Sequence, residues 1–189
     1  MNSPITPVPD TDRLVEPSNK PGESGGETSQ VQAQALYTLV ARQPFFKGLN
    51  AGQLHLLAES ALEMQFEVGQ TIFEKGSPAN RFYLILEGSV VLESEMADRS
   101  SIPIQTLGPG DDLGWAWLFP PYSMHLTARA LAPTRTIFFY GTRLREQCEQ
   151  DHEMGYQLMQ RIAQVAAQCL RATQQRLTES LELSRGPLP

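Results

Sequence analysis

Asp111 and Asp112 are neighbouring carboxylates, a pairing that can hold a cation or share a proton in acid–base work. They follow Leu107-Gly108-Pro109-Gly110, and an Asp beside Pro-Gly folds a turn by accepting from nearby backbone amides. Both are read as turn formers. His55, His125 and His152 are scattered, with no His-x-His, so no metal site is expected. Cys148 and Cys169 make neither a disulfide framework nor a four-ligand zinc site. They are read as buried small side chains, with a redox or haem role as the minor alternative. No nucleophile–base pairing and no phosphate loop occurs, so no enzyme is expected. The densest cluster of recognition side chains is Trp115, Trp117, Phe119 and Tyr122, stiffened by Pro120-Pro121. These rings either line a pocket for a planar or apolar ligand or plug that pocket as core, and plugging is the slightly preferred reading. His125 beside them is read first as a surface or hydrogen-bonded group, and second as a phosphate contact when protonated.

The elements that must carry these residues are legible from periodicity. Ala35, Leu36, Leu39 and Val40 recur at helical spacing until Pro44 closes the segment. Asn50 can cap a helix from Ala51 to about Ala61, with Leu54, Leu57, Ala58 and Ala61 on one face and Gln53 and His55 on the wetter one. The period then becomes two, with glycines at intervals. Strands are expected at Leu62–Val68, Thr71–Glu74, Phe82–Leu86, Val90–Leu92, 102–107, 126–131 and 136–140, and Glu87-Gly88-Ser89 reads as a hairpin turn. From about Thr142 the pattern is helical again. Asp151 can cap a long proline-free helix from His152 to Leu183, with Leu158, Ile162, Val165, Cys169, Leu170, Leu177 and Leu181 in its apolar stripe. The fold class expected is α+β, mainly β: an antiparallel β-roll or jelly roll with N-terminal helices and a long C-terminal helix.

Composition sets the outer bounds. The 189 residues carry 15 Lys plus Arg against 21 Asp plus Glu, a net charge of −6. With no basic block, nucleic-acid wrapping is not expected. Mean hydropathy is −0.28, and no apolar run approaches the roughly 18 residues of a membrane span. The N-terminus lacks the form of a secretory signal, so a cytoplasmic protein is expected. Residues 1–30 hold five prolines and a Ser/Gly cluster and read as a disordered tail. The N-terminal helices and roll are assigned to 31–145, the C-terminal helices to 146–185, and a short tail to 186–189.

Three stretches in order resemble the cyclic-nucleotide-binding domain of the catabolite-activator and protein-kinase-A regulatory families. Pro44-Phe45-Phe46-Lys47-Gly48-Leu49 and the helix after it resemble the opening P-x-F-x-G-L segment. Residues 67–79 and 82–91, with the Leu86-Glu87-Gly88 turn, resemble the second to fourth strands. Leu107 to Gly114 resembles the L-x-P-G-D-x-F-G entry to a phosphate-binding cassette. The resemblance implies a cyclic phosphate held on backbone amides at a short helix start, an arginine on that phosphate, and a glutamate on the ribose. Gly114 and Thr127 match, but Trp115 stands in the glutamate position and Met124 in the arginine position. Losing that arginine removes a hydrogen bond to a charged group worth about 1.5–3 kcal/mol, or roughly ten- to hundredfold in affinity.

The pocket implied is formed by Gly114, Trp115, Ala116, Trp117, Ser123, Met124, His125 and Thr127, and its occupant would be a cyclic nucleotide or another small planar ligand. The expected function is that of a non-enzymatic regulatory or sensor domain with a degenerate cassette, signalling through the C-terminal helix. The alternative is a ligand-free assembly module of a larger complex. Only a handful of residues follow Leu183, so no DNA-reading helix-turn-helix is expected. A helix of about 30 residues spans roughly 45 Å, more than a small roll can cover, so a homodimer through this helix, or another protein partner, is expected.

Overall fold

The computed structural model describes residues 25–96 and 100–185, with side chains over 30–96 and 100–179. Helix α1 (Gly25–Ala41) enters at the N-terminal side. It therefore starts inside the Ser/Gly cluster assigned to the tail; the remainder of that tail lies outside the described residues. A 3-10 turn, Pro44–Phe46, leads to α2 (Ala51–Ser60). Asn50 caps α2 as expected, and Gln53 completes the capping box. Gln53 is buried rather than on a wet face, because its Nε2 donates to Asp151 Oδ2 at 2.7 Å. Asp151 Oδ1 in turn accepts from the Met154 amide at 3.0 Å and opens the last helix.

Eight strands follow: β1 (Leu62–Phe66), β2 (Thr71–Phe73), β3 (Arg81–Glu87), β4 (Val90–Glu95), β5 (Ser101–Leu107), β6 (Asp112–Leu113), β7 (Thr127–Ala130) and β8 (Thr134–Tyr140). They form two antiparallel sheets, in the orders β1-β8-β3-β6 and β2-β7-β4-β5. This is the expected roll. The hairpin expected at Glu87-Gly88-Ser89 is not there: β3 pairs with β6 and β8, whereas Val90 of β4 faces Leu107 and Ala130. The turn carries the chain from one sheet to the other. Gly88 makes that possible, with φ +95° and a Cβ position only 2.5 Å from the Pro133 carbonyl oxygen.

Side-chain alternation distributes the core. Phe82 and Leu84 of β3, with Ile137 and Phe139 of β8, face the helices and pack on Phe46, Leu57, Leu144 and Leu158. Tyr83, Ile85 and Phe138 face the opposite way, into the space between the sheets, against Phe66, Val90, Leu107 and Leu113. β3 and β8 are thus buried on both faces, which explains the unbroken apolar run at 82–86.

Helices α3 (Gly141–Gln150) and α4 (His152–Arg185) close the domain. Met154, Leu158 and Ile162 of α4 are fully buried, but Leu170 and Leu177 are 59% and 61% exposed. Over 34 residues α4 extends about 51 Å, at 1.5 Å per residue.

Candidate functional site

Gly110 turns the chain at φ +91°, and Asp111 Oδ2 accepts from the Gly108 amide at 2.8 Å, as a turn-forming carboxylate should. The two residues of β6 follow, then Gly114 at φ +85°, which caps a 3-10 turn over Trp115–Leu118. A Cβ on Gly114 would lie 2.7 Å from the Arg81 carbonyl oxygen, so the turn packs directly on β3. Four residues in this tight turn send the two tryptophans to different places. Trp115 is half-buried, with its ring 5.4 Å from that of His125. Trp117 is fully buried in the helix-facing core, 6.1 Å from the Phe82 ring.

A cavity of about 70 Å³ lies between this segment, the roll and α4. Five of the eight sequence-predicted residues line it: Gly114, Trp115, Ala116, Met124 and His125. Three do not. Trp117 is core; Arg145 of α3 donates to its carbonyl oxygen, and its Nε1 is buried without a hydrogen-bond partner. Ser123 bridges to Pro78 in an isolated antiparallel pair. Thr127 Oγ1 accepts from the Lys75 amide at 3.1 Å.

The structure adds lining residues that local pattern could not supply: Leu92, Gln105 and Leu107 from the roll, Phe73 from β2, and Val165, Gln168 and Cys169 from α4. It also adds Asp112. This residue is partly accessible as a whole, but its Oδ2 is buried and has no hydrogen-bond partner. Burial, with the adjacent Asp111 carboxylate contributing, pushes the Asp112 acid up to about 7. Its role as a turn former is therefore corrected: Asp111 makes the turn and Asp112 lines the cavity.

The lining carries two carboxylates, one imidazole and one thiol, and no lysine or arginine. Two guanidinium groups of the roll lie outside that lining. Arg81 stacks over Phe138 at 5.1 Å, and Arg129 binds Glu93, the Gly69 carbonyl and Thr71 Oγ1. Burial pushes Cys148 up to about 11 and also raises Cys169, so neither thiol is an activated nucleophile. Among the described residues no group of three or more His, Cys, Asp or Glu is placed to hold a metal ion, and no helix is long and apolar enough to cross a membrane.

Comparison with known proteins agrees with this architecture. Residues 63–151 match the family model described as a cyclic nucleotide-binding domain. The chain is 26% identical over 141 residues to a CRP-like cAMP-activated global transcriptional regulator of Mycobacterium tuberculosis, covering 75% of this chain and 61% of the relative. It thus spans less than two thirds of that relative's length. A Geobacter metallireducens protein described as cyclic nucleotide-binding is similar in structure, with TM-score 0.61 and 31% identity over 73% of this chain and 97% of that one. The regulatory subunit of a cAMP-independent protein kinase A from Trypanosoma brucei shares the fold, with TM-score 0.61 at 19% identity over 80% of this chain and 53% of that one.

Proposed function

The chain belongs to the cyclic nucleotide-binding domain family, and on that premise we propose that it is a non-enzymatic regulatory domain whose altered cassette signals through α4. One observation carries this reading. Val165, Gln168 and Cys169 of α4 wall the same cavity as Gly114 and Trp115, so an occupant touches cassette and helix together. An occupant that favours one placement of α4 biases that state in proportion to its differential affinity. Immediately after this wall α4 exposes Leu170, and two turns later Leu177, which offer a surface to a second copy of the chain.

The cassette does not suit a cyclic nucleotide. Trp115 presents only an indole donor where the ribose needs an acceptor, and Met124 is a buried thioether where a phosphate needs a cation. A cavity of about 70 Å³ is also small against the roughly 300–1,000 Å³ of ligand pockets. That volume favours a second reading, a ligand-free assembly module on the same fold.

Thermal melts and sedimentation with cAMP and cGMP, on the wild type and on the Trp115→Glu/Met124→Arg double mutant, test the proposal. The wild type should show no nucleotide-dependent shift and the double mutant should gain one. A wild-type shift of several degrees with cAMP would overturn the claim of an altered specificity.

A further inference from the structure

A buried carboxylate oxygen without a partner is costly, and native structures leave few such groups unexplained. Asp112 Oδ2 is one, and it belongs to a residue that lines a cavity whose walls hold no lysine or arginine. The same wall holds Asp111 and the rings of Trp115 and Phe73. Indole is the best aromatic face for a cation, and a carboxylate is its natural counter-ion. Arg81 and Arg129 are not part of the lining: Arg81 stacks over Phe138 and Arg129 binds the Gly69 carbonyl.

We infer that this cavity is a site for a small organic cation, an ammonium or guanidinium head group, with Asp112 as counter-ion and Trp115 as aromatic wall. The inference rests on the cavity being the sensing site proposed above and names its ligand class. The volume of about 70 Å³ suits a head group rather than a whole nucleotide. An anion finds two carboxylates there and no fixed positive charge.

Binding exchanges one positive charge for another. The Asp112 acid gives up its proton to solvent and its carboxylate takes the cation, so each cation bound to the protonated form releases one proton. The other titratable groups lining the cavity are Asp111 on the turn, His125 beside Trp115 and Cys169 on α4. With Asp112 held at about 7, affinity should rise roughly tenfold from pH 6 to pH 8 and level off above.

The test is calorimetric titration of the full chain with methylguanidinium and with tetramethylammonium at pH 6 and pH 8, at matched ionic strength, with cAMP in parallel. Saturable cation binding, about tenfold tighter at pH 8, is expected. Asp112→Asn, checked for native circular dichroism, should weaken it more than tenfold and remove the pH dependence. His125→Gln should keep that dependence, and Trp115→Leu should weaken binding several-fold. Absence of saturation by both cations at pH 8, equal binding by Asp112→Asn, or saturation by cAMP alone would overturn the inference. Sedimentation of the same samples separates the two claims. Cation binding without a change of oligomeric state upholds the ligand class and sinks the signalling proposal, whereas an oligomeric change indifferent to Asp112 sinks the ligand class.

Discussion

Asp151 and Gln53 lie far apart in the chain, yet Gln53 Nε2 donates to Asp151 Oδ2 at 2.7 Å, joining the N-terminal helical layer to the start of α4. This bond, followed by the one from the Met154 amide, holds the Asp151 carboxyl below its ordinary value. A depressed acid stabilises the fold above its unfolded pKa of about 3.9 and loses that contribution as pH falls through the folded value. Asp151→Asn should therefore melt below the wild type at pH 7, and the gap should close as pH drops below about 4. A gap that stays constant into strong acid would show that charge is not what this carboxylate contributes.

Asp112 has the opposite sign. Its acid is raised, so between about 4 and 7 the native state holds a proton that the unfolded chain has released, and stability falls as pH rises across that window. The rise from about 4 to about 7 sets a ceiling of roughly 4 kcal/mol on the loss. Asp112→Asn, which keeps the shape without the charge, should be the more stable protein at pH 8 by roughly 2–4 kcal/mol in urea titrations. The two proteins should converge below pH 4. Equal stability at pH 8 would mean that Asp112 is hydrated.

Gly88 and Gly69 both have positive φ, but only Gly88 is crowded. A Cβ there would meet the Pro133 oxygen and Thr134 Cα within 2.6 Å, whereas Gly69 has nothing within 4 Å. Gly69→Ala should cost about 1–2 kcal/mol, the left-handed backbone term alone. Gly88→Ala adds overpacking of about 1–3 kcal/mol. Urea midpoints of the two variants on a common slope would decide this, and equal losses would refute the close approach at the crossover.

Leu170 and Leu177 are seven residues apart on one face of α4 and are largely exposed. Replacing both by Asp should abolish self-association in sedimentation equilibrium while changing the stability of the roll by less than about 0.5 kcal/mol per site. A wild type that sediments as a monomer at high micromolar concentration would end the dimer proposal.

Local chemistry was readable in the sequence where its partners are close along the chain. The Asn50 cap, the Asp151 cap and the turn at Gly110-Asp111 each need only three or four residues of context, whereas the burial of Gln53 depends on Asp151 far along the chain. Features set by long-range packing were not. The turn at Gly88 signals a reversal but does not say which strand Val90 will meet, and a strand of two residues such as β6 has no period to detect. Trp115 and Trp117 share a type and a spacing that reads as one aromatic patch, yet the 3-10 turn divides them between cavity and core. Asp112 looked like its neighbour because nothing in ten residues of sequence announces that α4, more than fifty residues later, will lie over the same cavity.

The two-sided burial of β3 and β8 bears on how the molecule comes apart. Because Leu84 belongs to one core and Tyr83 to the other, neither core can melt while its neighbour persists without stripping a strand that both require. The roll and its helical jacket should therefore unfold as a single cooperative unit, and amides of β3 and β8 should exchange with solvent only through global opening.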